Sequence, residues 1–295
     1  MKLYAPEYYK DFVCIADRCK HSCCIGWEID VDAVTMEKYR ALRGDCGERI
    51  MESIDPLESP HFRLTAADRC PHLDERGLCR IISSLGEGYL CDICREHPRF
   101  YHVTARGREV GLGISCEEAC RIILGSDGYR EMIVIGEDNE EADAEFDSVA
   151  EREKIFSILS DSDIPYAERL CAIAKEYSAS PTRLTDVEWR SILDGLEYLD
   201  SGARELFMSY SSDVRTPKAA EKVLERALAY FIYRHASPAE NLDEFRASIG
   251  FALFAERLLC SISSADNIFD RARIISEEIE YSEENSDALK TEFLF

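Results

Sequence analysis

The chain has 295 residues, a formal charge of −23, 46% hydrophobic residues and thirteen cysteines. That is enough apolar material for a real core in one large or two ordinary domains. Strong acidity repels nucleic-acid phosphates, which are bound through Lys and Arg. No run of eighteen apolar residues is present, so a membrane-spanning helix is not expected. The first residues, Met1 to Tyr9, lack an apolar signal region, so the expected compartment is the cytoplasm. Thiols stay reduced there, and clustered cysteines then favour metal ligation over disulfides. The acidity is uneven. Residues 1–125 carry 17 Lys and Arg against 21 Asp and Glu, whereas residues 126–295 carry 18 against 37.

The aromatic start (Tyr4, Tyr8, Tyr9, Phe12) reads as extended chain. Cys14, Cys19, Cys23 and Cys24 follow without an apolar period, as in a metal-shaped loop. Asp32 is placed as the N-cap of a helix to about Leu42, with Gly44 as its stop and a short helix over 46–54. His61 to Thr65 alternates and reads as a strand. Cys70-Pro71 and Glu75-Arg76-Gly77 are turns. Residues 79–85 and 88–96 read as short helices, the second ended by Pro98. Residues 100–105 and 108–114 form a hairpin about Arg106-Gly107, and Ser115 caps a helix from Cys116 to Leu124. The acidic stretch near 136–145 is read as a connector. Helices are then expected over 148–160, 165–178, 186–199, 202–210, 218–235, 241–263 and 267–281. The division is thus a cysteine-rich domain over 1–125, a connector over 126–147 and a helical domain over 148–295. The fold class is mainly α with a small β-hairpin, its N-terminal domain stabilised by metal.

Eleven of the thirteen cysteines lie between residues 14 and 120. Sulfur-rich donor sets point to zinc, iron–sulfur clusters or Cu(I), and four thiolates complete either a tetrahedral zinc or a cubane. The pairs Cys19/Cys23, Cys91/Cys94 and Cys116/Cys120 have a spacing that suits one helical face. Cys171 and Cys260 lie in apolar helical contexts and are read as core, and Cys46 as an isolated structural thiol. A Cys-x3-Cys-x2-Cys triad starting at Cys19 would need cysteine at 26, where Gly26 stands. No glycine-rich nucleotide fingerprint is present either. His21 and His97 sit inside the cysteine motifs but read first as surface or supporting residues, and Trp27 as an anchor of a small core. Arg95 and Arg99 flank the second cluster, and Arg99, fixed by Pro98, is the better candidate to grip a cofactor carboxylate.

Four motifs occur in order: Tyr8-Tyr9-x2-Phe12-x-Cys14-x4-Cys19-x3-Cys23-Cys24-x-Gly26-Trp27, Cys70-Pro71-x-Leu73-x5-Cys79-x-Ile81, Cys94-Arg95-x2-Pro98-Arg99 and Ser115-Cys116-x2-Ala119. Together, over residues 4–124, they resemble the flagellin lysine N-methylase family and the wider group of cysteine-rich iron- or zinc-chelating domains. The resemblance implies methyl transfer from S-adenosylmethionine to lysines of flagellin or another lysine-bearing protein, with a 4Fe-4S cluster or zinc in the cysteine-rich part. It carries the metal-ligand role onto Cys14, Cys19, Cys23, Cys24, Cys70, Cys79, Cys94 and Cys116, and leaves Cys46, Cys91 and Cys120 without one. Eight thiols make either two four-sulfur centres or one centre with spare cysteines. A lysine amine must lose its proton before it attacks a sulfonium methyl, and Tyr8, Tyr9 and Tyr101 are candidates to assist. The alternative function is a non-catalytic zinc- or iron-chelating module that binds a protein through its acidic helical half. An iron–sulfur electron carrier is weaker, because compact ferredoxin spacing is absent.

Overall fold

The computed structural model describes residues 1–56, 59–137 and 144–294. It divides into two compact units, one of residues 13–98 and the other of residues 1–12 together with 99–295. The cysteine-rich unit therefore interrupts the larger one. Strand β1 (Lys2–Pro6) precedes the interruption. Inside it lie α1 (Ala33–Ala41), α2 (Asp45–Glu52), the two-residue strands β2 (Ile54–Asp55) and β3 (His61–Phe62), α3 (Arg80–Leu85) and α4 (Asp92–Glu96). Then come β4 (Arg99–Thr104), β5 (Gly107–Leu112), α5 (Glu117–Gly125) and β6 (Met132–Glu137). The rest is helical: α6 (Ser148–Leu159), α7 (Tyr166–Glu176), α8 (Asp186–Asp194), α9 (Ser201–Phe207), α10 (Glu221–Ala236), α11 (Leu242–Ile262), α12 (Ile268–Ile275) and α13 (Glu283–Thr291). A π-helical turn, Ser276–Glu280, joins the last two.

A mainly α fold is observed, and the β content exceeds the expected hairpin. The hairpin of β4 and β5 forms, with Tyr101 opposite Val110 and His102 opposite Glu109. It belongs to a four-stranded sheet of order β4-β5-β1-β6. β1 runs parallel to β5 and antiparallel to β6. The expected connector over 126–147 instead supplies β6, while its residues 138–143 lie outside the described ones. Nor does the chain divide at residue 125: residues 99–125 pair and pack with the helices, because the inner face of the hairpin and α5 share their core. Gly107 explains the tight turn. Its φ is +147°, and a Cβ there would sit 2.6 Å from the Lys2 carbonyl oxygen. Asp32 caps α1 by accepting from the Thr35 amide at 2.9 Å. Ser115 does not cap α5; the N-cap position falls on Cys116. The sequence reading ended near residue 281 and missed α13, whose polar segment is held by Asn285, a side chain bonded to both Glu197 and Glu278 backbone carbonyls at 2.7 Å.

The core of the larger unit is built on α10 and α11. Phe231, Ile232, Phe251, Phe254, Leu258 and Leu259 are all 0% exposed, and Trp189 of α8 stacks on Phe254 at 3.9 Å. Cys260 is buried as expected, whereas Cys171 is exposed, because α7 turns that face to solvent. Charged groups also enter this core. Arg152 of α6 makes a two-pronged bond with Glu109 of β5, at 2.7 and 2.9 Å, and also donates to Ser237. Arg169 pairs with Glu225 at 2.8 Å, and the Tyr129 hydroxyl donates to the same carboxylate.

Two outcomes are expected. Glu109→Gln or Arg152→Met alone strands a buried charge and lowers unfolding free energy by about 3–5 kcal/mol, while the double replacement Glu109→Leu/Arg152→Met recovers much of it, as urea denaturation will show. Glu256 is buried and accepts from Tyr166 at 3.0 Å; burial raises its pKa from 4.5 to about 7. The folded state thus keeps a proton that the unfolded chain releases, and stability falls as pH rises from about 4.5 to 7. Glu256→Gln stabilises by on the order of 3 kcal/mol at pH 8 and has little effect near pH 4.5.

Candidate metal centre

The cysteine-rich unit has a small core of its own: Ile29, Val31, Met36, Tyr39, Ile50, Ile54, Phe62 and Ile81, together with Cys70 and Cys91. Cys24, Cys46, Cys79 and Cys94 pack against it. The structure brings Cys70 beside Cys24 through the backbone, where the Cys70 amide donates to the Cys24 carbonyl at 2.8 Å. Gly26 follows with φ +78°, and its amide donates to Asp68 at 2.7 Å. A cysteine at 26 would be strained in that left-handed conformation, which gives a backbone reason for the missing radical-enzyme triad. Cys79 and Cys91 occupy the N-cap positions of α3 and α4. Cys94, three residues on, reaches back so that its thiol and that of Cys91 hydrogen-bond.

Five sulfurs therefore share one neighbourhood: Cys24, Cys70, Cys79, Cys91 and Cys94 feel one another's charge. Their environments differ. The hydrogen bond from Cys23, helped by Ser22 and Arg69, lowers Cys24 to about 7. Burial pushes Cys70 up to about 12 and also raises Cys79. The shared bond lowers Cys91 and raises Cys94. Tyr39 closes the group, with its hydroxyl 3.6 Å from the Cys91 sulfur and donating to the Tyr89 carbonyl at 2.7 Å.

No three His, Cys, Asp or Glu side chains among the described residues close on a common point as metal ligands do. The donor chemistry nevertheless suits a metal: five soft sulfurs set in apolar packing match zinc or an iron–sulfur cluster and no oxygen-seeking cation. Of the eight expected ligands, four lie in this group. Cys14 and Cys23 are exposed and Cys19 is partly so. Cys116 belongs to the larger unit, packed against its core at the start of α5. Cys91, 1% exposed, also lies in the five-thiol group, although the resemblance leaves it without a role. Its Cys-x2-Cys spacing with Cys94 was the available signal, set aside because the family pattern does not include it. His72 is a supporting residue: it is buried, bonds the Ser53 hydroxyl at 2.9 Å and meets the Phe62 ring edge-on. Arg99 opens β4, donates to the Tyr9 hydroxyl at 2.8 Å and lies over the Tyr9 and Phe12 rings. Tyr8 is buried, and burial raises its pKa, so it is no ready base.

Comparison with known proteins adds the family. Over 126 residues the chain is 30% identical to the flagellar biosynthetic protein FliU of Salmonella muenchen, a match covering 40% of this chain and 75% of that protein. The chain belongs to the FliU family. It is also 31% identical, over 126 residues, to the lysine-N-methylases of Salmonella choleraesuis (strain SC-B67) and Salmonella typhimurium (strain LT2). The match spans 31% of the length of those two relatives. No protein-family profile matches the chain, and no solved structure matches it. The FliU relationship agrees with the resemblance read from the cysteine motifs.

Metal should bind in the five-thiol group. Anaerobic reconstitution followed by metal analysis is expected to show Cys91→Ala losing as much metal as Cys94→Ala, and Cys14→Ala losing little. Removing the metal should speed backbone hydrogen exchange within 13–98 and leave the larger unit protected, because ligation there substitutes for core.

Proposed function

We propose that this FliU-family protein transfers a methyl group from S-adenosylmethionine to the ε-amine of a lysine on a protein, flagellin or another lysine-bearing chain. The observation that carries the reading is the match to FliU and to two lysine-N-methylases, on a chain whose inserted unit gathers five thiols. In the reaction the amine nitrogen bonds to the methyl carbon, the carbon–sulfonium bond breaks, and the sulfur leaves as a neutral thioether. An unperturbed lysine has a pKa of about 10.4, so the site must desolvate the amine or take its proton. We assign Cys24, Cys70, Cys79, Cys91 and Cys94 as the residues that hold the metal, a 4Fe-4S cluster first and zinc second. When bound, a cluster or zinc would supply Lewis-acid chemistry at these thiols. Arg99 is the residue we assign to a cofactor carboxylate. Its guanidinium is already oriented by the Tyr9 hydroxyl and two aromatic rings, so little side-chain freedom remains to be lost on binding.

The test is incorporation of labelled methyl into a lysine-bearing protein by anaerobically purified enzyme. Incorporation that needs S-adenosylmethionine is expected, and Arg99→Met should raise the KM for the donor by roughly tenfold, the worth of one charge-assisted bond. Metal-loaded protein that methylates neither flagellin nor other lysine-rich proteins would leave the chelating module as the surviving reading.

A further inference from the structure

A cleft of about 380 Å³ in the larger unit is lined by the end of α10, the first turns of α11 and by α13, with His235, Ser248, Asp287 and Lys290 among its residues. Elsewhere in the chain several acids close an ion pair with a base three residues on, as Glu7 does with Lys10, Glu118 with Arg121 and Glu151 with Lys154. Asp287 and Lys290 have the same spacing but do not pair. Lys290 turns inward instead: it is half-buried, its Nζ lies 5.9 Å from the centre of the buried Phe251 ring, and it makes no hydrogen bond or ion pair among the described residues. Burial lowers its pKa. Asp287 stays exposed, without an ion pair among the described residues. The imidazole of His235 is oriented from behind. Its Nε2 meets the Glu280 carboxylate at 2.6 Å. That carboxylate also accepts from the Tyr230 hydroxyl at 2.9 Å and lies 3.5 Å from Arg234. Glu280 is the last residue of the π-helical turn, a feature that recurs at functional sites. Burial lowers the His235 pKa to about 4, so its ring is neutral. Against the upward pull of burial, Arg234 and His235 lower Glu280 to about 2. The single ring proton is therefore on Nε2, donated to Glu280, and Nδ1 is left as an acceptor with no partner among the described residues.

A phosphate, with nearly two negative charges, does not suit this lining. It would meet the carboxylate of Asp287 and that of Glu244, which also lines the cleft and is held by the Glu240 amide and the Asn241 side chain. An unpaired cation beside an unpaired anion and a neutral acceptor suits a ligand that carries both charges. We propose that this cleft binds a free apolar α-amino acid, with its carboxylate on Lys290 and Ser248 and its ammonium on Asp287 and the Nδ1 of His235. Both charges must sit on one carbon, which a residue within a peptide never offers, so the ligand is a free amino acid and not a chain end. Ala239, Ala247 and Leu294, also in the lining, offer apolar contact to its side chain. The inference stands apart from the methylase reading.

The probe is radiolabelled L-leucine in equilibrium dialysis against the full chain. The competitors are N-acetyl-L-leucine, which lacks the ammonium, and L-leucinamide, which lacks the carboxylate. Saturable leucine binding is expected, and each analogue should compete about tenfold more weakly than leucine, the scale of one lost charge-assisted hydrogen bond. Lys290→Met should weaken leucine about tenfold and leave leucinamide unchanged, because that analogue has no carboxylate to lose. Asp287→Asn, a surface change, should weaken leucine roughly threefold, as an exposed charge contact does, and leave N-acetyl-leucine unchanged. Thermal unfolding of each variant checks that its fold is intact. Absence of saturable binding, competition by either analogue as strong as that of leucine, or a loss in the variants that extends equally to both analogues would each overturn the proposal. S-adenosylmethionine carries the same head group on a larger body. If it displaces leucine at lower concentration than unlabelled leucine does, the cleft belongs to the methyl donor and the assignment to a free amino acid fails.

Discussion

The buried pair of Arg152 and Glu109 is the interaction on which the larger unit depends. It takes two full charges out of water, which is costly unless geometry and further hydrogen bonds compensate. Here both prongs are made, Ser237 accepts from the same guanidinium, and the Tyr233 ring lies 5.0 Å beneath it. The pair ties β5 to α6 and to the end of α10. A slip of β5 by one residue would turn Glu109 away from Arg152 and leave both charges stranded. Register in β5 then fixes its neighbours: His102 stands opposite Glu109, and the charge of Arg152 helps to keep that imidazole neutral. An ion pair in the core thereby adds to the burial that keeps a histidine of the terminal strand neutral.

Local signals in the sequence were legible where local physics decides. Asp32 caps α1, the hairpin turns at Gly107, and the long apolar stripes of α10 and α11 are core. Pairing between distant segments was not legible. Nothing near Lys2–Pro6 announces that it pairs with both β5 and β6, and an acidic context hid Met132–Glu137 as a strand. Helix α13 was missed because its packing relies on Asn285 and a π-helical turn rather than on an apolar period. The same limit applies to the thiols. The resemblance gave a ligand role to Cys24, Cys70, Cys79 and Cys94, which the fold gathers in one neighbourhood. Cys91 is distinguished by burial and by its bond to Cys94, properties that only the fold reveals. The exposure of Cys171 is the converse case, since an apolar helical context does not say which face turns outward.

The cysteine-rich unit shows why thiols and apolar side chains alternate so closely there. Its core has few large residues, and two of its buried members are cysteines. In a unit of 86 residues, Val13–Pro98, sulfur serves as packing material and, in the reading proposed above, also as donor. The split in acidity between Cys24 and Cys91 on one side and Cys70, Cys79 and Cys94 on the other follows from that double use: the more deeply packed sulfurs resist ionisation unless a neighbour donates to them.

The interruption of the larger unit by residues 13–98 orders events in time. Leu3 pairs with Arg108 and Lys2 with Glu137, so during synthesis β1 waits for partners that emerge only after the whole insert. Closing so long a loop is slow compared with local folding. The insert, which forms a compact unit of its own, is therefore free to collapse before the sheet that flanks it can assemble. Folding of the thiol-bearing insert and closure of the flanking sheet are in this way separable steps, with the insert first.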